Sequence, residues 1–170
     1  VWADEIRELE DGVDPDSIRP AKGVHMTVPW ELVRNDIAVI IAVPGDKRSL
    51  FLVPWVERPD GGFDHCYIGT TDTSYYGERP LWPEIEVDDV EYLLAPMTRY
   101  FDIDPLTPDD VVAAWAGVRP LIAQEGKEAK EMSRKDEVTV GPGGMISIAG
   151  GKLTGFRRLA EDVIGVVAKQ

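Results

Sequence analysis

Short apolar runs broken by turn residues dominate the first seventy positions. Residues 24–29, 37–43, 50–55 and 66–71 are rich in Val, Ile and aromatic side chains, and Pro44-Gly45-Asp46 and Pro59-Asp60-Gly61-Gly62 stand between them. Runs of strand length joined by turn chemistry predict β-strands, and connections this short favour antiparallel neighbours. The period then changes. Val90, Leu93, Leu94, Met97 and Phe101 recur at helical spacing, which predicts one helix over 87–101. Asp88, Asp89 and Glu91 fall in its first turn, where the helix dipole favours negative charge. Thr107-Pro108-Asp109-Asp110 reads as an N-cap followed by proline at the first helical position, predicting a short helix to about residue 114. Three further strands, 118–122, 137–140 and 145–149, lead into a last helix running through Arg157 and Val163 toward Lys169. The polar stretch 124–131 reads as a mobile loop, and Gly141-Pro142-Gly143-Gly144 as a turn between the last two strands.

These elements predict an α+β fold, a mostly antiparallel sheet with helices packed on one face. A chain of 170 residues can bury roughly 70% of its unfolded surface, enough for one core. The aromatic set Trp55, Trp82, Trp115, Tyr92 and Tyr100 is read as part of that core. Cys66 is the one cysteine, so an internal disulfide is excluded, and a buried thiol is the expectation. No apolar run approaches the ~18 residues that a membrane span needs.

Charge narrows the partners. The net charge is −13, yet residues 115–158 hold eight Lys/Arg against five Asp/Glu, while residues 1–114 hold nine against twenty-four. An acidic surface argues against nucleic acid, whose phosphates require a basic face, and against adhesion to anionic lipid. An anionic small molecule would need the basic segment.

That segment carries the most informative motif. The strand Met145-Ile-Ser-Ile-Ala149 is followed by Gly150-Gly151-Lys152-Leu153-Thr154 and then by helix. Two glycines between strand and helix leave free N–H groups and a positive dipole end facing outward, and Lys152 adds a full charge. Upstream, Arg119 lies in an apolar stretch directly before Pro120, which biases it to extended backbone. An arginine there needs a partner, either an internal carboxylate or an anionic ligand gripped by its planar guanidinium. Arg134 is a third cation in the same segment. Arg119, Arg134 and Lys152 together point to a carboxylate or phosphate site. No metal-ligand set is assigned.

The motifs extend along the chain. Arg19-Pro-Ala-Lys-Gly23-Val-His25 with Thr27-Val-Pro29, Leu50-Phe-Leu-Val-Pro54-Trp55 and Ile68-Gly-Thr-Thr-Asp72 come first. Val90-Glu-Tyr-Leu-Leu94, Asp110-Val-Val112, Trp115-Ala-Gly-Val-Arg-Pro-Leu121, Ser133-Arg134 and Ile148-Ala-Gly-Gly-Lys-Leu-Thr154 follow. In this order and at this spacing the chain resembles the flavin-dependent glycerol-3-phosphate dehydrogenase family and the related oxidases, over nearly its whole length.

The resemblance implies oxidation of sn-glycerol 3-phosphate to dihydroxyacetone phosphate with FAD, and electrons passed to quinone, or to oxygen in the oxidase branch. It implies that Arg119, Arg134 and Lys152 are active-site residues contacting glycerol phosphate; on chemical grounds Arg119 and Lys152 are both candidates to stabilise alkoxide character developing at C2. His25 matches a Lys-Gly-x-His pattern and is a candidate base, with a structural histidine as the alternative. Thr70-Thr71-Asp72 either lines the cavity or closes a strand. Gly150, Gly151, Lys152, Leu153 and Thr154 would start the final helix beneath the flavin ring, their N–H groups meeting its pyrimidine carbonyl. Gly155 and Phe156 replace a threonine and a tyrosine of the family pattern, which removes two hydroxyls but leaves the backbone donors. A relative oxidising an amine would pair a carboxylate with one arginine, so the extra cations favour phosphate.

The G-x-G-x-x-G fingerprint that cradles a dinucleotide is absent. The chain is therefore expected to be a piece of a longer protein: residues 1–144 a substrate-binding cap domain, 145–170 the final strand and helix of the flavin domain, the N-terminal flavin half missing. Alone it should not turn over. The alternative is a stand-alone phosphate-binding or protein-interaction module. Localisation is expected to be cytoplasmic, with peripheral membrane contact at the inner face implied for dehydrogenases.

Overall fold

The computed structural model describes residues 2–10, 12, 17–76, 81–123 and 136–170. In chain order the elements are α1 (Ala3–Arg7), β1 (Ile18–Pro29), β2 (Val39–Ala42), β3 (Ser49–Glu57), β4 (Phe63–Gly69) and β5 (Thr73–Ser74). They continue with α2 (Val87–Leu94), α3 (Met97–Tyr100), β6 (Ala113–Ile122), β7 (Asp136–Val140), β8 (Ile146–Gly150) and α4 (Phe156–Val167). This is the expected mixture of helix and mostly antiparallel sheet. The chain divides into two compact units, one of Lys22–Asp72 with Pro80–Gly117, the other of Val1–Ala21, Thr73–Arg79 and Val118–Gln170. Strands β1 and β6 run through both.

In the first unit the strand order is β2-β3-β4-β1, with β6 beside β1. Alternation sorts the two faces. Leu50 and Leu52 on β3, Cys66 and Ile68 on β4, and Val24, Met26 and Val28 on β1 are fully buried. Leu93, Leu94 and Met97 cover them from α2 and α3. Residues of the opposite phase, Phe51, Trp55, Tyr67 and His25, point away from that core. Register is set by pairs such as His25↔Gly69 and Thr27↔Tyr67 between β1 and β4.

Lys22 is an ion buried in this unit. Its ammonium donates to Asp89 at 2.6 Å, Glu86 at 3.2 Å and the Glu84 carbonyl at 3.3 Å. Burial works against its charge, but the hydrogen bonds and charges of Asp89 and Glu86 outweigh it and raise its pKa. The same two carboxylates form a reciprocal capping box at the start of α2.

Three expectations are corrected here. The helix over 87–101 is broken in two: Pro96 has no N–H to close on the preceding turn, so α2 ends and α3 begins separately. The helix after Thr107 is a single 3₁₀ turn, Pro108–Asp110, held by Thr107 and Asp110 capping each other. Val111 then leaves for extended geometry, and Val112 donates to the Thr27 carbonyl at 2.9 Å, committing the chain to strand pairing. Finally, the aromatic set is not core. Trp55, Trp82, Trp115 and Tyr100 are 59%, 84%, 43% and 44% exposed; Trp55, like Phe51, sits on the strand phase opposite Leu50 and Leu52. Tyr92 alone of the set packs against the core. Strands β1 and β6 also begin earlier than expected, and α1 carried no apolar periodicity to announce it.

In the second unit, Ala21 and Leu121 pack together. Asp4 of α1 accepts from the Ile18 N–H at 3.0 Å and from the Ser17 hydroxyl, tying α1 to the start of β1. Strands β7 and β8 form an antiparallel hairpin whose turn is the expected glycine-proline stretch, closed by Gly141 N–H donating to the Met145 carbonyl at 2.8 Å. Helix α4 packs on this hairpin, and its Leu159, Val163 and Val166 are half-buried.

Candidate functional site

The hairpin delivers its last strand, β8, to the glycine pair. Gly150 and Gly151 take φ of 72° and 82°, the left-handed region that favours glycine. Space gives a second reason at Gly151: an added Cβ would meet Leu159 Cδ1 at 3.1 Å and Asp136 Cβ at 3.2 Å. Lys152 returns to extended geometry, Leu153–Gly155 make a 3₁₀ turn, and α4 starts at Phe156. The helix thus begins later than the glycines, with the tight turn between. Neither the turn nor the helix has a side-chain cap, so their leading N–H groups carry the positive end of the dipole outward.

A cavity of about 310 Å³ opens at this corner, lined by Arg119, Pro120, Leu121, Gly150, Gly151, Lys152 and Leu153. Strand β6 supplies Arg119; the apolar Leu121 two residues on is buried and anchors it. Arg119, half-buried, and Lys152, exposed, are brought to one cavity together with the glycine turn. Thr154 lies in the turn but not in the lining. Arg134 and the loop expected over 124–131 lie outside the described residues.

His25 belongs to the other unit. Its imidazole, half-buried on the sheet face opposite the core, stacks on Tyr67 with centroids 5.1 Å apart and on Trp115 at 5.9 Å; Tyr67 and Trp115 stack on each other at 5.3 Å. Gly69, its cross-strand partner, leaves the room: a Cβ there would lie 2.8 Å from His25 Nε2 and 3.0 Å from Cγ, and nearer still to Cδ2. Neither Tyr67 nor the ring role of Trp115 was anticipated. The signal was the strand phase, since Tyr67 sits diagonally across from His25 on the same face. Thr71 is structural: it is buried, and its hydroxyl accepts the Val24 N–H at 2.9 Å. Burial pushes the Cys66 thiol up to about 12.

The donor set suits the electron-rich edge of a flavin ring. Backbone N–H groups of an uncapped turn, a neighbouring cation and two glycines that let a flat group approach all converge there. The dinucleotide part of FAD finds no fingerprint in this chain. No helix among the described residues is long and apolar enough to cross a membrane.

Comparison with known proteins adds the following. The profile of the family described as DAO, FAD dependent oxidoreductase, matches residues 1–156. Aerobic glycerol-3-phosphate dehydrogenases of Staphylococcus aureus, strains USA300 and NCTC 8325 / PS 47 among them, are 35% identical over 169 residues, covering 99% of this chain and 29% of theirs. The X-ray structure of glycerol-3-phosphate dehydrogenase from Bacillus halodurans complexed with FAD superposes with a TM-score of 0.74 at 35% identity, covering 99% of this chain and 30% of that one. The chain therefore spans about 29% of the length of the curated relatives it matches.

Proposed function

The chain belongs to the FAD dependent oxidoreductase family, and on that premise we propose that it is the substrate side of a flavoenzyme oxidising sn-glycerol 3-phosphate to dihydroxyacetone phosphate. The observation that carries the reading is the cavity that Arg119, Lys152 and the left-handed glycine pair line together. Arg119 offers a fork of donors to the phosphate, and Lys152 a point charge; a dianion rewards both. Arg134 is assigned a third contact. The cap is assigned to the unit of Lys22–Asp72 with Pro80–Gly117, and the flavin side to the unit that holds β8 and α4; a boundary at 144/145 would part β7 from β8 in the hairpin. Gly150 to Thr154 hold the ring end of the flavin through backbone N–H groups.

Bound FAD supplies the two-electron acceptor. This chain's part is to fix the phosphate, orient C2 and take the hydroxyl proton, and His25 is assigned that last role. Arg119 or Lys152 offsets the negative charge that develops on the C2 oxygen. Electrons go on to a quinone, or to oxygen in an oxidase, and peripheral contact with the cytoplasmic face of a membrane accompanies the quinone-linked form.

Amide-resolved NMR titration with sn-glycerol 3-phosphate, with glycerol as control, tests the reading. Saturable shifts should gather around Arg119, Gly151 and Lys152 and be absent with glycerol. Removing a charged hydrogen-bond donor costs about 1.5–3 kcal/mol, so Arg119→Gln should weaken binding by about ten- to a hundredfold. Equal responses to glycerol, or an Arg119→Gln holoenzyme with unaltered KM and kcat, would overturn it.

A further inference from the structure

We infer that Tyr67 and Trp115 are positioning residues for His25, holding its imidazole in a fixed plane and favouring its protonated form. The inference rests on the reading of His25 as the proton acceptor. Three rings meet on the outer face of the sheet. Each pair is stacked, His25 with Tyr67 at an interplanar angle of 16°, His25 with Trp115 at 23°, and Tyr67 with Trp115 at 29°. With all three centroid separations between 5.1 and 5.9 Å, the rings form a triangle of offset plates, not a sandwich. Offset stacking is the favoured aromatic geometry, and it resists rotation about the bond that carries the ring. The stacks occupy the faces of the His25 ring, so its hydrogen bonding is confined to the ring edge.

The cluster is built from three strands. Tyr67 comes from β4, Trp115 from β6 and His25 from β1, and Gly69 opposite His25 keeps the ring's place open. Trp115 is 43% exposed, so a tryptophan is kept at an open surface where core packing does not explain it. The faces of Tyr and Trp rings are electron-rich, and a cation beside them is stabilised. An imidazole that must receive a proton gains from such neighbours. On the flanking strand β4 the ionisable groups in phase with His25 are Tyr67 and His65, and the part of β6 that lies in the same unit, residues 113–117, carries none. Tyr67 is the one of these that stacks on the ring.

The test uses the flavin-loaded holoenzyme and follows kcat/KM for sn-glycerol 3-phosphate against pH, comparing wild type with Tyr67→Leu, Trp115→Leu, Trp115→Phe and His25→Gln. A base must be unprotonated to act, so its pKa governs the acid limb. Loss of one aromatic face should move that limb down by about half a unit, with kcat falling several-fold and KM little changed; Trp115→Phe should restore most of both. His25→Gln should abolish the limb. If it does, but both leucine variants keep the wild-type limb and kcat, Tyr67 and Trp115 do not position His25 and the inference fails alone. If His25→Gln leaves the limb in place, the role of His25 is wrong and the inference goes with it. Should a leucine variant fail to load flavin, the wild-type ring protons of His25 decide: stacked neighbours shift them upfield, and unshifted resonances would refute the cluster.

Discussion

Gly69→Ala offers a direct test of how His25 is seated. The added methyl would stand 2.8 Å from Nε2 and 3.0 Å from Cγ, with Cδ2 closer still. Ordinary contact begins near 3.4 Å, so the ring must turn out of its place. Turning out forfeits the stacks on Tyr67 and Trp115, each worth about 0.5–1.5 kcal/mol. Against this stands the usual gain of about 0.5–1 kcal/mol when a glycine within regular structure becomes alanine. The balance is a net loss of about 1–2 kcal/mol, a fall in Tm of roughly 2–8 °C for a chain of this size. Gly165→Ala is the matched control. It lies inside α4 with nothing within 4 Å of its added Cβ, so it should stabilise by about 0.5–1 kcal/mol. Urea unfolding followed by tryptophan fluorescence, with the His25 ring protons observed by NMR, reads both. If the two alanines shift stability in the same direction, and His25 resonances in Gly69→Ala stay where they were, the ring is not held as described.

Lys22→Met should destabilise by about 3 kcal/mol, since it strands Asp89, whose side chain is 7% exposed, beside one backbone donor, the Glu86 N–H, among the described residues; the double variant Lys22→Met with Asp89→Leu should recover much of that loss in urea unfolding. Asp46, held to a pKa of about 2 first by the side-chain hydrogen bond from Arg48, contributes stability that is present above its unfolded value of 3.8 and lost as pH falls through about 2. Its side chain is 21% exposed, so the contribution is about 1 kcal/mol, and the stability gap between wild type and Asp46→Asn should close between pH 4 and pH 2. Cys66, buried and pushed up to about 12, should react with a disulfide reagent at pH 8 roughly a thousandfold more slowly than after unfolding, and equal rates would mean the thiol is accessible.

Strands and glycine turns were legible in the sequence because both are local. Val24, Met26 and Val28 alternate with His25 and Thr27, and such a pattern can be satisfied in few ways. Gly150-Gly151-Lys152 announces itself because two left-handed residues in succession require glycine. What was missed depends on partners far along the chain. Lys22 sits in an ordinary-looking motif, and its burial makes sense only with Asp89, 67 residues away, at the start of α2. The aromatic set was misread as core because hydrophobicity says that a side chain prefers cover, not which face of a sheet it occupies; Trp115 and Trp55 follow their strands outward. The helix over 87–101 failed on one residue, Pro96, that the stripe of apolar positions passes over.

The pleat itself separates stability from chemistry in β1. Residues 24, 26 and 28 are wholly buried in the core, while 25 and 27 lie on the opposite face. Truncating Met26 should therefore cost about 2–5 kcal/mol of folding free energy, whereas replacing His25 should cost only its two ring stacks, about 1–3 kcal/mol together, and act on the proton transfer assigned to it. Two neighbours one peptide apart would then differ in what they disable, because a period of two leaves a strand no other way to serve both a core and a site.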